Sequence, residues 1–185
     1  MTSNAMRVLS LACALSALAG ASAGAESPTP GKPAWVFHDG VMYWPGDYSY
    51  VVRVQYNDKE GAPASGRYDV KITLTGQWGG FQPFARNWDF DTRPYAYLTF
   101  ALKPTIANQA LKLYFEKVGD VPVGNPVDPL KYGPAPQPGV WATYKVPLAD
   151  LGLTGIRVYK FAIQDQTGLA SNVFYLNDVG FLPPD

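Results

Sequence analysis

The sequence predicts an all-β chain folded as a two-sheet antiparallel β-sandwich. Three observations carry this expectation. Short runs alternate apolar and polar residues, which is the period of a half-buried strand. Glycine and proline, 18 and 17 of the 185 residues, cut those runs at short intervals. No stretch repeats apolar residues at helical spacing for three turns.

The organisation follows from the N-terminus. Residues 1–25 read as an export signal. Arg7 is the only charge, the apolar run Val8–Ala19 follows, and Ala21-Ser22-Ala23 and Ala23-Gly24-Ala25 offer small-x-small exits. Cleavage is expected at Ala23 or Ala25. The run is short for a membrane span; the alternative is an N-terminal anchor that stays in place. Cys13, the one cysteine, lies inside this run, so the processed chain has neither disulfide nor thiolate chemistry. Residues 26–33 are rich in Ser, Pro and Gly and read as a linker. Residues 34–185 read as one domain, secreted to the periplasm or the exterior, with no membrane attachment after cleavage.

Within that domain, three runs alternate clearly: Arg67–Thr75, Ala96–Lys103 and Leu111–Glu116. Further strands are expected at 35–39, 49–57, 141–148, 157–165 and 173–181. Side chains alternate across a strand, so Leu98, Phe100, Leu102, Leu111, Leu113 and Phe115 are expected to line one buried layer. Phe37, Phe161, Phe174 and Phe181 also fall in strand runs and read as core. Val121–Pro138 holds six prolines and cannot supply a central strand, because proline lacks the ladder N–H; it is expected to be a loop. Asn57–Gly66 is polar and glycine-rich and is expected to join two strands.

Composition excludes several functions. Formal net charge is zero and the pI is about 6.6, so nothing supplies the basic field that nucleic acid or an anionic membrane requires. A single histidine, His38, leaves no zinc ligand set. No Gly-x-Ser-x-Gly elbow accompanies it for a nucleophilic triad.

What remains distinctive is the aromatic content: five Trp, twelve Tyr and nine Phe, all beyond the signal segment. Tyrosine and tryptophan carry a polar handle on an apolar body. Tyr97, Thr99, Lys112, Tyr114 and Glu116 fall on the polar face of the two best-defined strands. Arg53, Gln55, Trp141, Lys145 and Gln164 are candidates for the same face. Flat rings among amides and charges suit sugars, whose C–H faces stack on aromatics while their hydroxyls need hydrogen-bond partners. Glycine or aspartate neighbours point to exposure of Trp44, Trp78 and Trp88. The bland alternative is a solvated sheet face built from good strand formers.

Several segments, in order, resemble jelly-roll carbohydrate-binding modules. Val36-Phe37-His38-Asp39-Gly40, Trp44 and Asp47-Tyr48-Ser49-Tyr50 resemble their opening strands. Trp78-Gly79-Gly80-Phe81 resembles the turn that follows, and Asp91–Phe100 the strand after it. Trp141–Leu148, Phe161–Asp165 and Phe174–Phe181 resemble the closing strands. The resemblance implies jelly-roll topology. It implies Trp44, Tyr48 or Tyr50, Trp78 and Trp88 as stacking residues, with Gln164 and Asp165 as polar contacts. It also implies a structural calcium ion at Asp39, Asn177 and Asp178, although Asn177 is neutral where such sites usually carry an acid, and a hard cation favours carboxylates.

The expected function is therefore that of a secreted, monomeric, non-catalytic module that binds a polysaccharide. Tyr97, Tyr114 and Trp141 join the implied contacts as candidate sugar-binding residues. The rivals are a structural or adhesive β-sandwich that meets a protein partner, and a jelly-roll polysaccharide lyase or hydrolase.

Overall fold

The computed structural model describes residues 31–185, all but the side chain of Trp88. The expected signal segment and most of the expected linker lie outside the described residues. Among the described residues no helix is long and apolar enough to cross a membrane.

Two antiparallel sheets face each other. The first joins β1 (Ala34–His38), β2 (Val41–Met42), β4 (Val52–Asp58), β5 (Asp69–Leu74), β9 (Tyr97–Pro104), β12 (Ala142–Pro147) and β15 (Val173–Leu182). The second joins β3 (Gly46–Asp47), β6 (Gly80–Phe81), β7 (Pro83–Phe84), β10 (Leu111–Lys117), β11 (Val121–Val127) and β14 (Lys160–Asp165). A small ribbon, β8 (Phe90–Asp91) with β13 (Arg157–Val158), closes one end. The expected β-sandwich is the observed architecture.

The core is the interior of this sandwich. Val70, Ile72, Leu98, Phe100, Leu102, Phe174 and Leu176 project from the first sheet, and Phe81, Leu113, Phe115, Phe161 and Ile163 from the second. All are essentially inaccessible. Burial of this aromatic and aliphatic surface is the principal stabilising term, at about 25 cal/mol per Å².

Strand β15 is the spine of the first sheet. It pairs with β9 along one edge, and with β5 and then β1 along the other. Its inward residues change parity midway, from Phe174 and Leu176 to Val179 and Phe181. The cause is a β-bulge between Asn177 and Gly180, with Asp178 at φ +48°. One extra residue in a strand shifts every later side chain to the other face, and Asp tolerates the left-handed conformation better than most residues.

Two sequence expectations change here. The proline-rich segment is not all loop, because Val121–Val127 forms β11. This strand lies at the sheet edge, paired only with β10, where Pro122 and Pro126 leave no ladder bond unmade. Trp44 is not exposed: it is 3% accessible. The chain crosses there from β2 in one sheet to β3 in the other, so its side chain falls between the layers. The indole packs on Phe90, Phe161 and Phe181 at ring-centroid distances of 5.4, 5.7 and 5.9 Å.

Candidate functional site

Register in the second sheet assembles an aromatic and polar strip on its outer face. Lys112 stands opposite Gln164, Tyr114 opposite Ala162, and Glu116 opposite Lys160. Alternation sends these six outward, while Leu113, Phe115, Phe161 and Ile163 point into the core. Gln164 then neighbours Gly80, and Lys160 neighbours Phe84. From Lys160 to Gln164 the strip runs four residues, about 13 Å.

Two tyrosines cross its centre. Tyr50 is bridged to Gly80 by paired backbone bonds of 3.1 and 3.0 Å. Its hydroxyl lies 2.9 Å from that of Tyr114. The strands between them carry only Gly80 and Ala162, which leaves room for the rings. A Cβ at Gly80 would come within 2.8 Å of the Tyr50 hydroxyl, so a larger residue there would displace the pair. Burial, then the Tyr114 hydroxyl, pushes the Tyr50 phenol above the usual tyrosine range, and burial raises Tyr114 as well; one hydroxyl donates to the other, which leaves the pair one O–H and spare lone pairs for a ligand.

One end of the strip is Trp78, at φ +63° and 47% exposed. Gln164 Nε2 donates to the Trp78 carbonyl at 3.0 Å, and Gln77 Nε2 donates to the Gly168 carbonyl at 2.8 Å. Gly168 lies under the indole edge, where a Cβ would stand 3.4 Å away. The backbone that carries the half-exposed ring is thus held in place.

The other end is Tyr48, also 47% exposed, stacked on Phe84 at 4.6 Å. Lys160 lies 5.1 Å from the Tyr48 ring centre. Its ammonium is paired with Glu116 at 2.9 Å and with Asp120 at 2.5 Å. Burial pulls the Lys160 ammonium down, but the two carboxylates more than offset this and hold it above the usual lysine range. Lys112 sits 5.3 Å from the Tyr114 ring centre. The central charges of the strip are therefore mutually compensated.

Five expected contact residues, Tyr48, Tyr50, Trp78, Tyr114 and Gln164, come together on this face. Trp44, Asp165, Tyr97 and Trp141 do not. Trp44 is core. Asp165 is fully buried: its carboxylate accepts from Gln109 Nε2 (2.9 Å), Asn172 Nδ2 (3.2 Å), and the Thr167 amide (3.0 Å) and hydroxyl (2.6 Å). It shapes the loop beneath Trp78 and is not placed to meet a ligand. Tyr97 and Trp141 lie on the opposite sheet. Tyr97 donates to Asp185 at 3.2 Å under the Lys145 ammonium, and Trp141 Nε1 donates to the Ala62 carbonyl at 2.7 Å. The side chain of Trp88 lies outside what the structure describes. Phe84, Gln82 and Lys160 were not singled out from sequence; the spacing of Lys160 four residues before Gln164 on one strand was the available signal.

The residues expected to hold calcium have other duties. Asp39 and Gly40, at φ +49° and +76°, form the two-residue turn between His38 and Val41, a type I′ hairpin sequence. Asn177 is buried, donates to the Ser65 carbonyl at 3.0 Å and accepts from the Asp178 amide at 2.8 Å. Asp178 Oδ1 already faces His38 Nδ1 at 2.7 Å and the Ser65 hydroxyl at 2.6 Å. Among the described residues no three His, Cys, Asp or Glu side chains are grouped to hold a metal. This donor set, with one neutral amide and one carboxylate already engaged, does not fit a hard dication.

No family model matches the chain, and no curated protein matches it in sequence. Solved structures do match in fold. The family 11 carbohydrate-binding module of the cellulosomal cellulase Lic26A-Cel5E of Clostridium thermocellum superposes with a TM-score of 0.55 at 12% identity, over 84% of this chain and 97% of that one. A family 30 carbohydrate-binding module gives 0.57 at 14% identity, over 85% and 86%. A family 29 module mutant complexed with cellulohexaose gives 0.56 at 12% identity, over 81% and 89%. The chain has the β-sandwich fold of jelly-roll carbohydrate-binding modules.

Proposed function

We propose that this domain is a secreted, non-catalytic module that binds a polysaccharide along the outer face of β10 and β14. One observation carries the reading: a half-exposed Trp78 and the Tyr50–Tyr114 pair share a face with Tyr48, on a floor whose charges compensate one another. Rings offer stacking surfaces for pyranose C–H faces. Gln164, Glu116 and the tyrosine hydroxyls supply donors and acceptors for sugar hydroxyls. Compensated charge favours a neutral glycan over an acidic one. Histidine-based catalysis has no support on this face, because the one histidine sits on the other sheet, engaged with Asp178. The cellulohexaose-bound neighbour of the same fold supports a β-linked hexose chain as the first ligand to try.

Trp78→Ala is the direct test. Loss of one stacked ring is expected to weaken binding by about 0.5–1.5 kcal/mol, the range of aromatic contacts, a roughly two- to twelvefold loss of affinity. Affinity electrophoresis in β-glucan, glucomannan and xylan gels reads this, with a thermal melt to check folding. Retention unchanged by the substitution in every gel that retards the wild type contradicts the assignment.

A further inference from the structure

The strip does not end at Lys160. The chain immediately before it, Arg157 to Tyr159, lines a cleft of about 680 Å³ together with Asn87, Asp89, Lys117 and Val118. Tyr159 also lines a smaller hollow of about 240 Å³ with Tyr48 and Lys160. A glycan that runs along β14 from Gln164 to Lys160 therefore leads through that hollow into the cleft. The volume is in the range of small-molecule sites.

The two parts of this surface differ in kind. The strip supports one face of a ring. The cleft has walls on more than one side: the β10–β11 turn at Lys117 and Val118, the turn at Asn87 and Asp89, and β13. Val118 is 52% exposed and offers an apolar wall. Arg157 Nε lies 2.8 and 2.7 Å from the two Asp89 carboxylate oxygens, and its Nη1 lies 3.5 Å from Asp91. Two carboxylates thus fix the guanidinium while both members of the Arg157–Asp89 pair stay substantially exposed. With the Nε–Nη2 edge taken up by Asp89, the remaining Nη N–H groups and the spare lone pairs of the carboxylate stand side by side for neighbouring hydroxyls, which lowers the ordering cost on binding. Asn87, exposed at φ +61°, adds an amide that both donates and accepts.

We propose that this cleft is a second subsite that takes a terminal sugar unit, one whose hydroxyls are free on most sides. The unit is either a side branch or the end of a chain lying on the strip. This rests on the glycan-binding reading of the strip. An interior unit of a linear chain has glycosidic bonds on both sides and fits a one-faced strip; a terminal unit exposes the hydroxyls that an Arg–carboxylate fork and an amide read.

The experiment compares Asn87→Gly, which keeps the left-handed backbone and removes the amide, and Val118→Trp, which fills the cleft from an exposed turn. Binding is measured to galactomannan and xyloglucan as branched polymers, to long linear glucomannan and β-glucan, and to cellohexaose. Both variants are expected to lose five- to tenfold in affinity for the probes that place a terminal unit in the cleft, and to bind long linear polymers as the wild type does. Loss confined to the branched polymers assigns the cleft to branches; loss confined to cellohexaose assigns it to chain ends. Wild-type affinity of both variants for every probe overturns the subsite and leaves the strip standing. A wild-type protein that binds none of the probes overturns both.

Discussion

Trp44→Ala is expected to destabilise the domain by about 3–5 kcal/mol, the usual range for removal of a large buried aromatic. The indole is 3% accessible and touches Phe90, Phe161 and Phe181. Those rings belong to the closing ribbon, the second sheet and the first sheet respectively, so the loss opens a cavity where three layers meet. Packing around it is dense, and relaxation can fill the void only in part. For a domain of this size each kcal/mol moves the melting temperature by about 2–4 °C, so a drop on the order of 10 °C is expected in a calorimetric or circular-dichroism melt. At temperatures where the variant remains folded, glycan retention is expected to match the wild type. Trp78→Ala is expected to do the reverse, with a near-native melt and weakened retention. A Trp44→Ala variant that melts within about 2 °C of the wild type contradicts the placement of this indole between the sheets.

The second large effect is a dependence of stability on pH. Asp69 is fully buried beneath the Asn57–Gly66 segment, opposite Asp58, and when ionised neither of its carboxyl oxygens has a hydrogen-bond donor. Burial first, and then the Asp58 carboxylate, raises its pKa from 3.8 to about 7, against the opposing pull of Lys103 and Lys71. Glu60 and Tyr175 complete the surroundings: Glu60 pairs with Lys71, and a Cβ on Gly61 would meet both Asp69 and the Tyr175 ring. Three carboxyl groups and two ammonium groups balance when one carboxyl keeps its proton, and the raised Asp69 is the group that favours keeping it.

A carboxyl whose pKa is raised in the folded state stabilises the fold below its unfolded pKa, and that contribution is lost as pH rises through the folded value. Stability is therefore expected to fall between about pH 4 and pH 7 and then to level off. The whole shift corresponds to ~4 kcal/mol; the neighbouring lysines and relaxation of the segment reduce this, and a fall on the order of 2 kcal/mol is expected. Asp69→Asn keeps the shape, offers Asp58 an N–H at every pH, and is expected to remove the slope and to raise the urea midpoint at pH 8 above that of the wild type. Equal urea midpoints for the wild type at pH 5 and pH 8 contradict this account of the pair.

The sequence carried the architecture well and the site in part, for identifiable reasons. Alternation along Leu98–Leu102 and Leu111–Phe115 marks inward residues correctly, because a strand has only two faces. It does not say which sheet a strand joins. Strands β9 and β10 are consecutive in the chain but lie in opposite sheets, so Tyr97 and Tyr114, expected on one face, point out of opposite sides of the molecule. Exposure read from glycine and aspartate neighbours succeeded at Trp78, on a turn, and failed at Trp44, where the chain passes between the layers. Asn177-Asp178 and Asp39-Gly40 carry residues that suit both a cation site and a left-handed backbone; a bulge and a type I′ turn account for them. The Tyr50–Tyr114 contact spans 64 residues of sequence and depends on Gly80 and Ala162 between them, which no local pattern announces.

The central claim is that the outer face of β10 and β14 meets the glycan. Amide and indole chemical-shift mapping during titration with cellohexaose tests it most directly. The account predicts that the perturbed signals cluster at the Trp78 indole, Tyr50, Lys112–Glu116 and Lys160–Gln164, while Tyr97, Trp141 and Tyr175 on the opposite sheet stay in place. Perturbation centred on Tyr97 and Trp141, with the Trp78 indole unmoved at saturation, would contradict it.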